Sequence, residues 1–184
     1  PVSCNGGSNG SINLSVSGGT PAYNYAWNDG TTTEDRTNLT KGTYTVVVTD
    51  ANNCSASSSM IIGQPAQLKL NSSKTPVSCN GGSDGTIDLI VTGGTQPYSY
   101  LWNDGNTNED RTGLTSGGYS VTVSDANGCS KTLANNITQP TAITLSKTKL
   151  NTTCYGGSDG SINLTATGGT PGYSYLWNDE IGRA

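Results

Sequence analysis

Histidine is absent from the 184 residues. Chemistry that needs an imidazole as base, shuttle or metal ligand is therefore excluded. Phenylalanine is absent too and Met occurs once, so aromatic packing rests on nine Tyr and three Trp. Charged residues make up 12%, about half the usual share of roughly 25%. The net charge of -4 and pI near 4.5 argue against nucleic acid as a partner. Leu, Ile, Val and Phe together number only 30, under the roughly one-fifth share that marks disorder when net charge is also high. Here the net charge is low, and Gly, Ser, Thr and Asn fill the gap as turn and exposed-strand residues. No apolar run approaches the length of a membrane-spanning helix, so no helical membrane insertion is expected. No leader-peptide pattern opens the chain, which starts on Pro1 and reads as a segment of a longer precursor.

What the chain does have is an internal repeat. Cys4, Cys79 and Cys154 are evenly spaced, and Trp27, Trp102 and Trp177 keep the same interval, as do Tyr25, Tyr100 and Tyr175. The interval is a 75-residue period, and Cys54 recurs on it once, as Cys129. Aligned without a gap, residues 1–75 and 76–150 match at 42 positions. A gapless period of this length means tandem modules rather than a solenoid of shorter units.

Helix signals are missing and strand signals dominate. Ile87, Leu89 and Val91 share one face of an alternating run; Tyr98, Tyr100 and Trp102 do the same, as do Tyr119, Val121 and Val123. Turn signals punctuate these runs at Gly93-Gly94-Thr95-Gln96-Pro97, at Asp104-Gly105 and at Asn127-Gly128, the last suited to a type I′ hairpin. Short strands with turns roughly every ten residues indicate an all-β fold of tandem immunoglobulin-like, PKD-like β-sandwich modules. Tyr25, Trp27, Tyr44, Tyr100, Trp102, Tyr119, Tyr175 and Trp177 are the expected structural core. Tyr44 and Tyr119 suit a tyrosine corner, with the hydroxyl bonded to backbone upstream. Strand phase puts module boundaries before Gln64-Pro65 and Gln139-Pro140. Residues 64–139 then form one complete sandwich, 1–63 lack an opening strand, and 140–184 are a truncated third repeat. Residues 140–184 of one copy could complete 1–63 of another, giving a filament by strand exchange. The tail from Glu180 to Ala184 leaves the pattern, since the other copies have Gly at the position of Glu180.

The string Val-Ser-Cys-Asn-Gly-Gly-Ser-Asp-Gly-Thr-Ile (77–87), followed by Gly-Gly-Thr-Gln-Pro-Tyr-Ser-Tyr-Leu-Trp (93–102), Leu114 to Tyr119 and Ser-Asp-Ala-Asn-Gly-Cys (124–129), resembles the SprB repeat of giant cell-surface adhesins in gliding Bacteroidetes. The resemblance implies an extracellular repeat, exported by the type IX secretion system and forming the shaft of an adhesive filament. It implies no catalytic residues.

Two cysteines at equivalent places in each full copy suggest an oxidising compartment. The pairing taken is within each repeat, Cys4–Cys54 and Cys79–Cys129, with Cys154 unpaired. The alternative pairing Cys54–Cys79 and Cys129–Cys154 fits the count equally, and spacing does not choose between them. A loop of that size would add roughly 4 kcal/mol in the chain-entropy model. Without Cys-x-x-Cys or His, zinc is disfavoured. Calcium has two candidate loops: Asn80-Gly81-Gly82-Ser83-Asp84-Gly85, weakened because the first copy has Asn9 where Asp84 and Asp159 stand, and the oxygen-bearing turns with Asp50, Asn52, Asp125 and Asn127; no other cofactor is expected. The pairs Glu34-Asp35 and Glu109-Asp110, each followed by Arg, recur residue by residue and read as a solvated loop with a local ion pair, not an active site. The expected partners are neighbouring repeats and other copies in a filament. A surface polysaccharide is the alternative ligand, and an accessory region of a secreted hydrolase is a further alternative role.

Overall fold

A computed structural model describes residues 1–178; the divergent tail from Glu180 lies outside the described residues. These contain strands and turns and no helix. The first repeat holds β1 (Gly10–Ile12), β2 (Asn24–Trp27), β3 (Arg36–Leu39), β4 (Gly42–Thr49) and β5 (Ser55–Ile62). Next come β6 (Lys69–Thr75), β7 (Gly85–Thr92), β8 (Ser99–Trp102), β9 (Arg111–Leu114), β10 (Gly117–Ser124) and β11 (Ser130–Ile137). The last two are β12 (Thr144–Leu150) and β13 (Ser161–Thr167). From β2 to β12, strands one repeat apart start and stop at equivalent positions of the period. The sheets are β1-β3, β2-β4-β5, β6-β7-β9, β11-β10-β8 and β12-β13.

The chain forms two compact units, one comprising Pro1–Asn71, Leu89–Glu109 and Ser120–Leu133, the other Ser72–Asp88, Asp110–Tyr119 and the chain from Ala134 onward. In the first unit, the sheets of the first repeat face each other across a core. Sheet β1-β3 supplies Ile12 and Leu39; sheet β2-β4-β5 supplies Trp27, Val46 and Ile62; Val2 closes one end. Trp27 lies opposite Val46 in the antiparallel ladder, as Trp102 lies opposite Val121. Alternation puts these side chains inward because strand side chains point to opposite faces with period two. In the second unit, Val77, Ile87, Leu114 and Ile137 are buried. Gly85 is required there: a Cβ would stand 2.8 Å from Ile137 Cγ2 and 2.9 Å from the Leu114 carbonyl oxygen.

Candidate functional site

The indole N–H of Trp27 donates to the Thr33 carbonyl at 2.8 Å, and that of Trp102 to Asn108 at 2.8 Å. Both rings are buried, with their one polar atom satisfied by backbone. Tyr25, Tyr44, Tyr100 and Tyr119 are half-buried. The Tyr44 hydroxyl donates to the Thr40 carbonyl and Tyr119 to Thr115, each at 3.1 Å, tying strand to preceding loop. Burial, then the neighbouring Glu34 carboxylate, push the Tyr25 phenol above its ordinary value. Tyr175 and Trp177, expected in a core, are about half exposed. The reason is pairing: the strand that would face Trp177, one period after β10, falls beyond residue 184. A second tyrosine tie was not read from the sequence. Tyr23 donates to the Gly18 carbonyl at 2.7 Å, Tyr98 to Gly93 at 2.5 Å, and Tyr173 to Gly168. Its signal was available, since Gly-Gly-Thr precedes this Tyr by the same interval in all three copies.

The candidate calcium residues sit in turns that cap themselves. Asp50 accepts backbone N–H bonds from Thr20 (2.9 Å) on one oxygen, and from Asn52 (2.9 Å) and Cys54 (2.8 Å) on the other. Asp125 accepts from Thr95, Asn127 and Cys129, each at 2.9 Å. These donors hold the Asp50 carboxyl below its ordinary value. Burial pushes Asp125 up, but the bonds from Cys129, Thr95 and Asn127 together outweigh it and the net direction is down. Asn52 and Asn127 turn their amide nitrogens onto the hydroxyls of Thr20 and Thr95. No group of three or more His, Cys, Asp or Glu placed to hold a metal ion occurs among the described residues. The turn itself differs from expectation. Type I′ needs positive φ at both Asn127 and Gly128, yet only Gly128 has it. Gly128 N–H returns to the Asp125 carbonyl and Asp125 N–H to the Cys129 carbonyl, a three-residue loop that the Asp carboxylate organises. In the first copy Asn53 takes the positive φ of Gly128.

Arg36 corrects the solvated-loop reading. It is buried, lies 5.0 Å from the Trp27 ring centroid and 5.7 Å from that of Tyr44, and grips Asp29 with both guanidinium nitrogens at 3.2 and 2.5 Å. That grip, more than any other contact, brings the Asp29 carboxyl down to about 2. Asp35 instead accepts the Leu14 N–H at 3.0 Å. A planar guanidinium that stacks and pairs at once explains why Arg, not Lys, follows the acidic pair. Arg111 lies over Tyr119 in the same way, at 5.9 Å.

The disulfide overturns both pairings drawn from the sequence. Cys4 joins Cys129, with the Cα atoms 5.7 Å apart, while Cys54, Cys79 and Cys154 are exposed thiols. Within the first repeat a bond from Cys4 to Cys54 is barred by strand length. Cys54 precedes β5, whereas Val2 N–H bonds the Gly63 carbonyl past its other end. Eight strand residues span about 26 Å, far beyond the roughly 4.4–6.8 Å that a disulfide bridges. Cys129 instead meets Cys4 across the repeat boundary, where the Asn127 amide also donates to the Ser3 carbonyl at 3.0 Å.

The SprB repeat family matches residues 1–32, 71–107 and 146–180. These segments hold the first cysteine of each repeat, the Gly-Gly turn and the Trp. Among solved structures, one titled "Structure of amphioxus IgVJ-C2 molecule" is similar at 17% identity and a TM-score of 0.37, covering 75% of this chain and all of that one. No curated protein matches the chain significantly.

Proposed function

Since the chain belongs to the SprB repeat family, repeats of cell-surface adhesins, we propose that it is a stalk segment, extending an adhesive tip or filament outside the cell. The observation that carries this reading is the gapless register. Strands, tyrosine ties, capped Asp turns and linker bonds all return one period later. Export by the type IX system and service in gliding motility belong to the same proposal. So does assembly with further copies in a filament.

The test is to delete or insert whole 75-residue repeats in the full-length surface protein. Filament length by electron microscopy should change by a fixed increment per repeat while attachment per filament stays constant. Attachment that scales with repeat number would overturn the stalk reading. It would favour the alternative, weak polysaccharide binding by every copy with avidity along the array. A glycan array probed with this chain checks that alternative directly.

A further inference from the structure

The bond between Cys4 and Cys129 lies at a repeat boundary, and the bonds that hold the Cys4 segment to its linker recur at the next boundary. Val2 N–H bonds the Gly63 carbonyl at 2.9 Å, the Asn5 amide donates to the Pro65 carbonyl at 3.0 Å, and Gly6 N–H bonds Gln64 Oε1 at 2.9 Å. One period on, Val77 N–H bonds the Thr138 carbonyl at 2.9 Å, the Asn80 amide the Pro140 carbonyl at 3.0 Å, and Gly81 N–H Gln139 Oε1 at 2.8 Å. Gly94 N–H holds the Ala66 carbonyl at 2.9 Å, and Gly169 N–H holds Thr141 at 2.8 Å.

The two boundaries also share a crevice. The first is lined by Cys4, Asn5, Pro65, Ala66 and Gly94, and further by Asp125 and Cys129. At the second, Cys79, Asn80, Pro140, Thr141 and Gly169 line the equivalent space. The positions one period beyond Asp125 and Cys129, 200 and 204, lie past residue 184. Cys79 is therefore an exposed thiol in a site whose counterpart holds a formed disulfide. Cys54 is the complementary half. It ends a turn built by the same three bonds to Asp50 as Cys129 makes with Asp125, and it too is exposed.

We propose that the first cysteine of each repeat is joined to the second cysteine of the repeat that follows, so that a row of staples runs along the array. The crevice at Cys79 is then the docking site for the Asp-Ala-Asn-x-Cys turn of the next repeat. The bond forms by exchange with a small disulfide such as oxidised glutathione. The Cys79 thiolate attacks one glutathione sulfur and expels the other as thiolate. The incoming cysteine thiolate then attacks the Cys79 sulfur of the mixed disulfide and expels the second. Two cysteine thiols are oxidised, one glutathione disulfide is reduced to two thiols, and the protons balance. The inference rests on the repetition alone and not on the stalk reading, so either can fail without the other.

A chain in which a second copy of residues 105–139 follows Asp179, replacing the last five residues, completes the third repeat and puts a cysteine at position 204. It is oxidised in a glutathione buffer, its remaining thiols are blocked, and it is digested without reduction. The expected map joins Cys4 to Cys129 and Cys79 to position 204, with Cys54 and Cys154 blocked. Cys79 found blocked, or joined to Cys54 or Cys129, overturns the proposal, as does position 204 joined to Cys154. The 184-residue chain supplies a control independent of the added segment. It should carry three blockable thiols, and Cys129→Ser should raise that to four by exposing Cys4. A bond from Cys4 to Cys54 in that variant would show that the first cysteine has no fixed partner across the boundary, and the rule would fall.

Discussion

Residues 93–102 and 168–177 read Gly-Gly-Thr-Gln-Pro-Tyr-Ser-Tyr-Leu-Trp and Gly-Gly-Thr-Pro-Gly-Tyr-Ser-Tyr-Leu-Trp, and they end in different surroundings. Trp102 is 2% exposed and sits in a strand opposite Val121; Trp177 is 52% exposed and sits in no strand. Upstream, Ile87 is 1% exposed and its equivalent, Ile162, 59%. The tyrosine tie to the Gly-Gly turn is nevertheless made in both copies. Ties within a few residues need only the local chain, whereas burial needs strands that come tens of residues later. Nearly the same decapeptide is core in one repeat and surface in the other because of its partners, not its composition.

The largest consequence is at the tryptophans. Trp102→Ala should cost about 3–5 kcal/mol, as expected for a buried aromatic, while Trp177→Ala should stay within about 0.5 kcal/mol. Urea unfolding followed by far-ultraviolet circular dichroism measures both, and equal losses would break the comparison. The glycines give a smaller contrast. Gly85→Ala forces a methyl against Ile137 and Leu114 and should cost about 1–3 kcal/mol. At Gly160, one period later, a Cβ would stand 3.2 Å from Thr152 Cγ2 and 3.3 Å from the Leu150 carbonyl oxygen, tight but without the overlap met at Gly85, so Gly160→Ala should cost less than Gly85→Ala in the same measurement.

Much of the fold was legible because alternation and turn residues are local signals. The runs read at 87–91, 98–102 and 119–123 became β7, β8 and β10 with shifts of one or two residues. The short β3 and β9, Arg-Thr-Asn-Leu and Arg-Thr-Gly-Leu, carry no alternating apolar pattern, and each exists by pairing with the strand that begins at Gly10 or Gly85. Arg36 could not be placed from its neighbours, since its stacking and ion-pair partners lie seven to nine residues away across turns. Cysteine connectivity was the least legible. Spacing inside a repeat says nothing about which end of one module meets which end of the next, and that geometry decided the bond.

Local ties offer a finer test of the contrast between the two repeats. Tyr98→Phe and Tyr173→Phe each delete one hydroxyl bond to backbone, worth about 1 kcal/mol. Amide exchange at Gly94 and Gly169 should quicken roughly fivefold in the respective variants. Acceleration confined to Gly94 would mean that even this tie depends on the completed module.

The smallest effect is electrostatic. Asp84 accepts the Ser78 N–H at 3.0 Å, and Asp159 accepts the Thr153 N–H at 3.1 Å and its hydroxyl at 2.6 Å. Hydroxyl and then backbone bonds hold both carboxyls below their ordinary value. A lowered carboxyl contributes stability that is fully present above its unfolded value of about 3.9 and is lost as pH falls through the folded value. The acid side of the stability curve therefore steepens below about pH 4, with Asp50 and Asp125 adding in the same direction, as does Asp29 at about 2. The first repeat has Asn9 at this position, which makes the same bond to Ser3 N–H at 2.9 Å without a charge. Carboxyl-carbon NMR titration should give depressed midpoints for both Asp84 and Asp159, because this cap is local to one turn and needs no second sheet. Asn9→Asp should add a depressed midpoint at the third position of this cap. An ordinary value at Asp159 beside a depressed one at Asp84 would show that the completed sandwich, and not the local turn, sets the carboxylate's environment.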